Sequence, residues 1–93
     1  MTMTTVPAYL EIDADQVSES LQRVCEKLAA SHDDVCLDFA NVRRIGPDSL
    51  KVMEKLAGLA EEKAVKASLR GVNVNVYRVL KLARLTSRFS FLS

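Results

Sequence analysis

Short apolar runs alternate along the chain with longer stretches in which apolar residues recur every three or four positions. Val6 to Ile12 reads as a short strand. Tyr9, Leu10 and Ile12 favour an extended backbone, and Pro7 fits an edge strand or the start of one. Asp13 or Asp15 then offers a helix N-cap. Val17, Leu21, Val24, Cys25 and Leu28 follow at helical spacing, which predicts an amphipathic helix over 14–30 with that stripe inward. Ser31-His32-Asp33-Asp34 is a polar turn. Val35-Cys36-Leu37-Asp38-Phe39 is a nearly continuous apolar run bounded by turns, the pattern of a central strand covered on both faces. Asp38 interrupts the run near its end and is placed to bond backbone in the next loop. Residues 40–45 connect to Gly46-Pro47-Asp48-Ser49, where Pro suits a first helical turn and Asp and Ser suit free backbone N–H groups. A second helix is predicted over about 48–63, with Leu50, Met53, Leu56, Ala57 and Ala60 inward. Lys66 to Val72 reads as another strand. Asn73 or Asn75 can cap a third helix whose buried stripe is Val76, Val79, Leu80 and Ala83. Leu85, Phe89, Phe91 and Leu92 either pack back on the domain or form a final short strand.

The order strand, helix, strand, helix, strand, helix predicts an α/β domain of parallel strands joined by right-handed crossovers. In open sheets of this kind, binding sites lie beyond the carboxyl ends of the strands, where helices begin. The segment at 45–49 lies there. A chain of 93 residues makes one domain, 1–93, with one core and no second lobe to enclose a substrate cleft. That lowers the expectation of an enzyme.

Charge changes the picture only in its distribution. The net charge is +1, yet residues 1–40 hold eight acids against two bases, while residues 63–93 hold seven bases and no acid. Such asymmetry marks either an acidic partner or internal neutralisation between the halves, and the near-zero total favours the latter. No apolar run of about 18 residues is present, so no membrane insertion is expected. Without a signal-peptide pattern, a cytoplasmic location is the expectation. Cys25 and Cys36 sit in apolar surroundings and read as buried reduced thiols rather than a disulfide or metal pair.

Candidate chemistry is sparse. His32, the one histidine, lies in a polar turn, and no spacing links Ser, His and acid into a nucleophile-and-base set. No His/Cys cluster has metal-ligand spacing, and Asp33, Asp34 and Asp38 read as turn and strand-end residues rather than a magnesium site. The turn at 46–49 has one glycine, no lysine at the phosphate-binding position, and an acid where a phosphate would sit. Nucleotide binding there is disfavoured, and no cofactor is expected. Asp48 reads either as a plain helix cap or as a cap that also meets a partner. The bases after 63 are interleaved with few aromatics and match no nucleic-acid motif, so no nucleic-acid partner is expected.

Val35-Cys36-Leu37-Asp38-Phe39-Ala40-Asn41-Val42, followed by Ile45-Gly46-Pro47-Asp48-Ser49-Leu50, resembles the core of the STAS domain, the fold of anti-sigma-factor antagonists. The stretch from Leu69 to Leu85 is similar to that family's C-terminal strand and helix, and especially to the small STAS subunit of the bacterial phospholipid-trafficking ABC transporter. The resemblance covers roughly residues 8–91. It implies a small, mixed, mostly parallel sheet of about four strands flanked by about three to four helices. It also implies a non-enzymatic, bacterial protein-interaction module in signalling and transcription regulation.

In that family a kinase-like anti-sigma protein phosphorylates a Ser or Thr at the start of the helix after the central strand. The motif there reads Asp-Ser-Ser-Gly or Asp-Thr-Gly-Gly, followed by Leu. Aligning that Leu with Leu50 puts Gly46 on the motif's Asp, Pro47 and Asp48 on its hydroxyl residues, and Ser49 on the following glycine. Three readings follow. Asp48 permanently imitates the charged state, with less charge than a phosphoserine. Ser49 is a shifted phosphorylation site. Or switching is lost and the domain is a constitutive scaffold, the reading preferred here. A second departure is the short N-terminus: residues 1–13 barely hold the strand pair usual before the first helix.

The expected partner-binding surface is Arg43, Arg44, Asp48, Ser49, Lys51, Val52 and Lys55, with Val52 as an exposed apolar anchor off the inward stripe. The expected partner is a kinase-like anti-sigma factor or another regulatory protein. The alternative is the ATPase of a lipid-trafficking ABC transporter, and a third reading is a nucleotide-responsive domain. Exposed strand edges leave a homodimer open.

Overall fold

The computed structural model describes residues 9–92. The elements are β1 (Tyr9–Glu11), α1 (Val17–Ala29), β2 (Val35–Asp38), α2 (Pro47–Lys63), β3 (Ala67–Arg70), α3 (Val74–Leu82) and β4 (Ser90–Leu92). The sheet order is β1-β2-β3-β4, and every neighbouring pair is parallel. The described strands therefore contain no antiparallel member of the expected mixed sheet. Residues 6–8 of the expected first strand, and the strand pair looked for before the first helix, fall outside or partly outside the described residues. The tail does form a final strand. With strands in sequence order and each crossover right-handed, the helices line one face of the sheet.

The register shows how the sequence sorts its two faces. Leu10, Leu37, Leu69 and Phe91 are aligned across the four strands, and all four pack into or against the core. The next row, Tyr9, Cys36, Ser68 and Ser90, points the other way, because side chains alternate along a strand. On that face Arg70 of β3 reaches across β2 to stack its guanidinium 4.6 Å from the Tyr9 ring centroid on β1. Both cysteines are free and buried, as expected. Loss of water contact pushes the Cys36 thiol up, against a smaller opposite pull from Arg70. Burial also pushes Cys25 up, against a weaker opposite pull from Lys55. Both thiols are therefore poor nucleophiles at neutral pH.

Helix α1 buries Ser20, Leu21, Val24, Cys25 and Leu28, the predicted stripe with Ser20 added and Val17 only half-buried. Its N-cap is Gln16, without a side-chain cap bond. The expected cap acid is occupied elsewhere: Asp13 Oδ1 accepts the Asp15 N–H at 2.9 Å in a local turn. At the far end, Lys63 Nζ donates to the Ala29 and Ser31 carbonyls at 2.9 and 3.0 Å. This places a cation against the negative end of α1. Helix α2 buries the predicted Met53, Leu56, Ala57 and Ala60, over a wider face than predicted. Its buried residues are Ser49, Val52, Met53, Leu56, Ala57 and Ala60, and Leu50 is half-buried. The cause is a second neighbour. Helix α2 packs on α1 as well as on the sheet, with Ser49 meeting Ser18 and the Cys25 thiol pointing to the Val52 carbonyl. Arg88 clasps the exposed Glu61 carboxylate with two bonds of 2.9 and 3.0 Å, holding that carboxyl below its ordinary range. Among the described residues no helix is long and apolar enough to cross a membrane.

Candidate functional site

The loop leaving β2 is fixed before α2 begins. The Phe39 N–H donates to the Arg70 carbonyl at 2.8 Å, which continues the β2–β3 pairing by one residue. Asp38 Oδ1 accepts the Ala40 N–H at 2.9 Å, the strand-end role expected of it. Val42 N–H closes a turn on the Phe39 carbonyl at 2.9 Å. From one side Asn41 donates to Glu11 Oε2 at 3.0 Å. From the other, Asn73 Nδ2 donates to the carbonyls of Val42 and Arg43 at 3.1 and 3.2 Å. The same Asn73 caps α3 by accepting the Val76 N–H at 2.8 Å. Val42 and Ile45 are buried, while Arg43 and Arg44 between them are exposed. Two buried apolar anchors and a tethered backbone thus hold a pair of guanidinium groups outward at the carboxyl end of the sheet.

Helix α2 starts beside this loop. Gly46 is the N-cap, Pro47 occupies the first turn, and no side chain caps the helix. Asp48 is therefore not the capping residue. It is exposed one position into the helix, where a carboxylate still gains about 0.3–1 kcal/mol from the helix dipole. Asp48, Lys51 and Lys55 recur at three- and four-residue spacing along the solvent face, and all three are exposed.

Two expected members of the surface are turned inward. Val52 is only 8% exposed and belongs to the core, so it offers no exposed anchor. Ser49 is 5% exposed, and its Oγ lies 3.0 Å from Ser18 Oγ on α1, so its hydroxyl faces the helix interface rather than a partner. The packing of α2 against α1 accounts for both. Ser49→Asp is expected to lose about 2–4 kcal/mol of stability in urea unfolding, because a carboxylate would enter a site shaped for a hydroxyl pair. A loss below about 0.5 kcal/mol would show that the position opens readily to water and would restore it as a modification site.

Asn73 was legible in the sequence as a cap, but its second role in holding the arginine loop was not. A polar cleft of about 500 Å³ lies at the end of β1, lined by Glu11, Asp13, Ala14, Ser20, Arg23 and Asn41. None of the expected docking residues lines it. His32 is exposed in its turn. Among the described residues no three His, Cys, Asp or Glu side chains are grouped to hold a metal.

The described residues form a four-stranded parallel sheet with three helices, a small α/β fold of STAS type like that of its structural neighbours. The chain is similar to a protein of Thermotoga maritima proposed to be an anti-sigma factor antagonist. Against its crystal structure the TM-score is 0.73 at 21% identity, over 95% of this chain and 75% of that one. Against the NMR structure of the same protein the TM-score is 0.71 at 19% identity, over 91% and 72%. No protein-family profile matches the chain, and no curated protein matches it.

Proposed function

We propose that this domain is a non-enzymatic docking module of the anti-sigma factor antagonist type, acting in the bacterial cytoplasm on a kinase-like regulatory partner. The observation that carries the reading is the pinned loop that presents Arg43 and Arg44 beside the exposed Asp48, Lys51 and Lys55 of α2. The loop backbone is already held in place, and a pre-organised backbone binds with less ordering cost. The fold of the structural neighbour, a protein proposed to be an anti-sigma factor antagonist, supports the same reading. Docking is constitutive in this proposal. Pro47 and Asp48 stand where the resemblance expects hydroxyls, and the nearest hydroxyl, on Ser49, is buried against Ser18.

The test is co-purification from the native cell followed by calorimetry with the recovered partner. Asp48→Lys is expected to weaken binding about tenfold, roughly 1.4 kcal/mol. It should do so without moving the unfolding midpoint by more than a few tenths of a kcal/mol, since the site is exposed. Unchanged affinity would displace the interface from the start of α2. Incubation with the partner and ATP should leave Ser49 unmodified, and phosphate on it would overturn constitutive docking.

A further inference from the structure

The polar cleft at the end of β1 continues into a second cleft of about 200 Å³ between β1 and α1. The two share Glu11, Ser20 and Arg23 and so form one trough. The second cleft adds Lys27 and two apolar side chains, Leu10 and Val24, which belong to the margin and the body of the core. Charged groups line the trough itself, and they are sorted by element. The acids, Glu11 and Asp13, lie on β1 and in the turn after it, while the bases, Arg23 and Lys27, lie one turn apart on α1. Two acids and two bases leave the lining without net charge. Yet these groups do not pair with one another: the ion pair found among the described residues is Arg88 with Glu61. Glu11 uses one carboxylate oxygen on Asn41 and Asp13 uses one on the Asp15 N–H, so a second oxygen remains on each. Ser20, only 5% exposed, accepts the Asp13 N–H at 3.1 Å. Its own O–H donates to none of the described residues, which leaves a buried donor where the two clefts meet.

We infer that this trough binds a small aliphatic amino acid, a ligand that carries an ammonium and a carboxylate on one short hydrocarbon frame. Arg23 and Lys27 meet the carboxylate, and the Ser20 O–H gives it a further donor. The second oxygens of Glu11 and Asp13 meet the ammonium. The hydrocarbon lies on Leu10 and Val24. Charge balance selects the occupant. An ion of one sign would be repelled by as many lining groups as attract it, whereas a zwitterion is attracted at both ends. A neutral apolar molecule would cover four charged groups and offer none of them a partner, which costs free energy. Small-molecule sites combine an apolar floor with a few convergent polar groups in this way. The site is separate from the α2 surface: Arg43, Arg44, Asp48, Lys51 and Lys55 are not among the residues that line it.

The test titrates the whole chain, labelled with ¹⁵N, with four probes. L-leucine and its isomer 6-aminohexanoate carry both charges, close together in the first and far apart in the second. Hexanoate and hexylamine carry one charge each. At least one amino acid is expected to give saturable shifts at the amides of Leu10, Glu11, Ser20 and Val24, and the tighter of the two fixes the spacing of the charges. Hexanoate and hexylamine are expected to bind about tenfold more weakly or worse. Arg23→Gln should weaken the amino acid about tenfold and strengthen hexylamine, because the lining then carries a net negative charge. Glu11→Gln, which keeps an acceptor for Asn41, should weaken the amino acid and strengthen hexanoate. Both positions are exposed, so neither change should move the unfolding midpoint appreciably. Three results would each overturn the inference: no saturable shifts with either amino acid up to about 20 mM, single-charge probes that bind as well as the amino acids, or shifts that leave Leu10, Ser20 and Val24 untouched. Weakening of every probe alike in both variants would also overturn it, since that is the mark of a structural role.

Discussion

Leu37→Ala is expected to lower the stability of the domain by about 3–4 kcal/mol, read as a fall in the urea midpoint with an unchanged slope. Leu37 is fully buried at the centre of β2, in register with Leu10 on one side and Leu69 on the other. Its side chain lies in the row that the helices cover. Removing three carbons there leaves a cavity bounded by two strands that cannot move together, because their spacing is set by backbone hydrogen bonds. A domain of this size has only about 5–14 kcal/mol in total, so one substitution removes a large fraction of it. A loss below about 1 kcal/mol would mean that the centre of the sheet is not the packed layer described above.

Gly71→Ala is expected to cost about 2–4 kcal/mol, although it adds only one methyl group. Gly71 has φ of 71°, a conformation that costs an L-residue about 1–2 kcal/mol. A β-carbon at that position would also lie 3.0 Å from both the Cα and the N of Ala40. Backbone on that side cannot yield cheaply. Ala40 is held by Asp38, and its neighbour Phe39 is bonded to Arg70. The displacement should reach the loop that bears Arg43 and Arg44. Gly71→Ala is therefore expected to weaken partner binding as well as stability, with no docking side chain altered. Gly58→Ala is the matched control: a β-carbon there meets nothing within 4 Å, and helix α2 should gain about 0.5–1 kcal/mol. Equal stability of the two variants would show that the approach of Gly71 to Ala40 is looser than the structure places it.

The order of elements was legible because each carries a strong local signal. The nearly continuous apolar run at 35–39, the Asn73 cap before α3 and the spacing within α1 depend on residues close in sequence. The full width of the buried face of α2 was not legible for the opposite reason. The stripe through Met53, Leu56 and Ala60 is buried as predicted, and a second stripe through Ser49 and Val52 is buried beside it. The contact with α1 that buries this second stripe joins residues about 30 apart, such as Ser18 and Ser49. Periodicity within the helix contains no information about that neighbour. The same contact removes Ser49 and Val52 from the docking surface while leaving Asp48, Lys51 and Lys55 on it. The cap at Asp13 or Asp15 failed on a different competition: Asp13 closes its own turn before the helix starts. Asn73 shows how a correct local reading stays incomplete, since its oxygen caps the helix as expected and its nitrogen holds a loop far away in the chain.

The β1-β2-β3-β4 order has a consequence for how the chain finds its structure. No strand has to be threaded between two others already in place, and no pairing joins residues more than about a third of the chain apart. Each strand–helix unit that emerges during synthesis can lie down on the one before it, so assembly can proceed by accretion from one end of the sheet to the other, as in a short solenoid. In such a sequence β4 is the last of the four strands to arrive, and it joins a sheet whose other three strands are already paired.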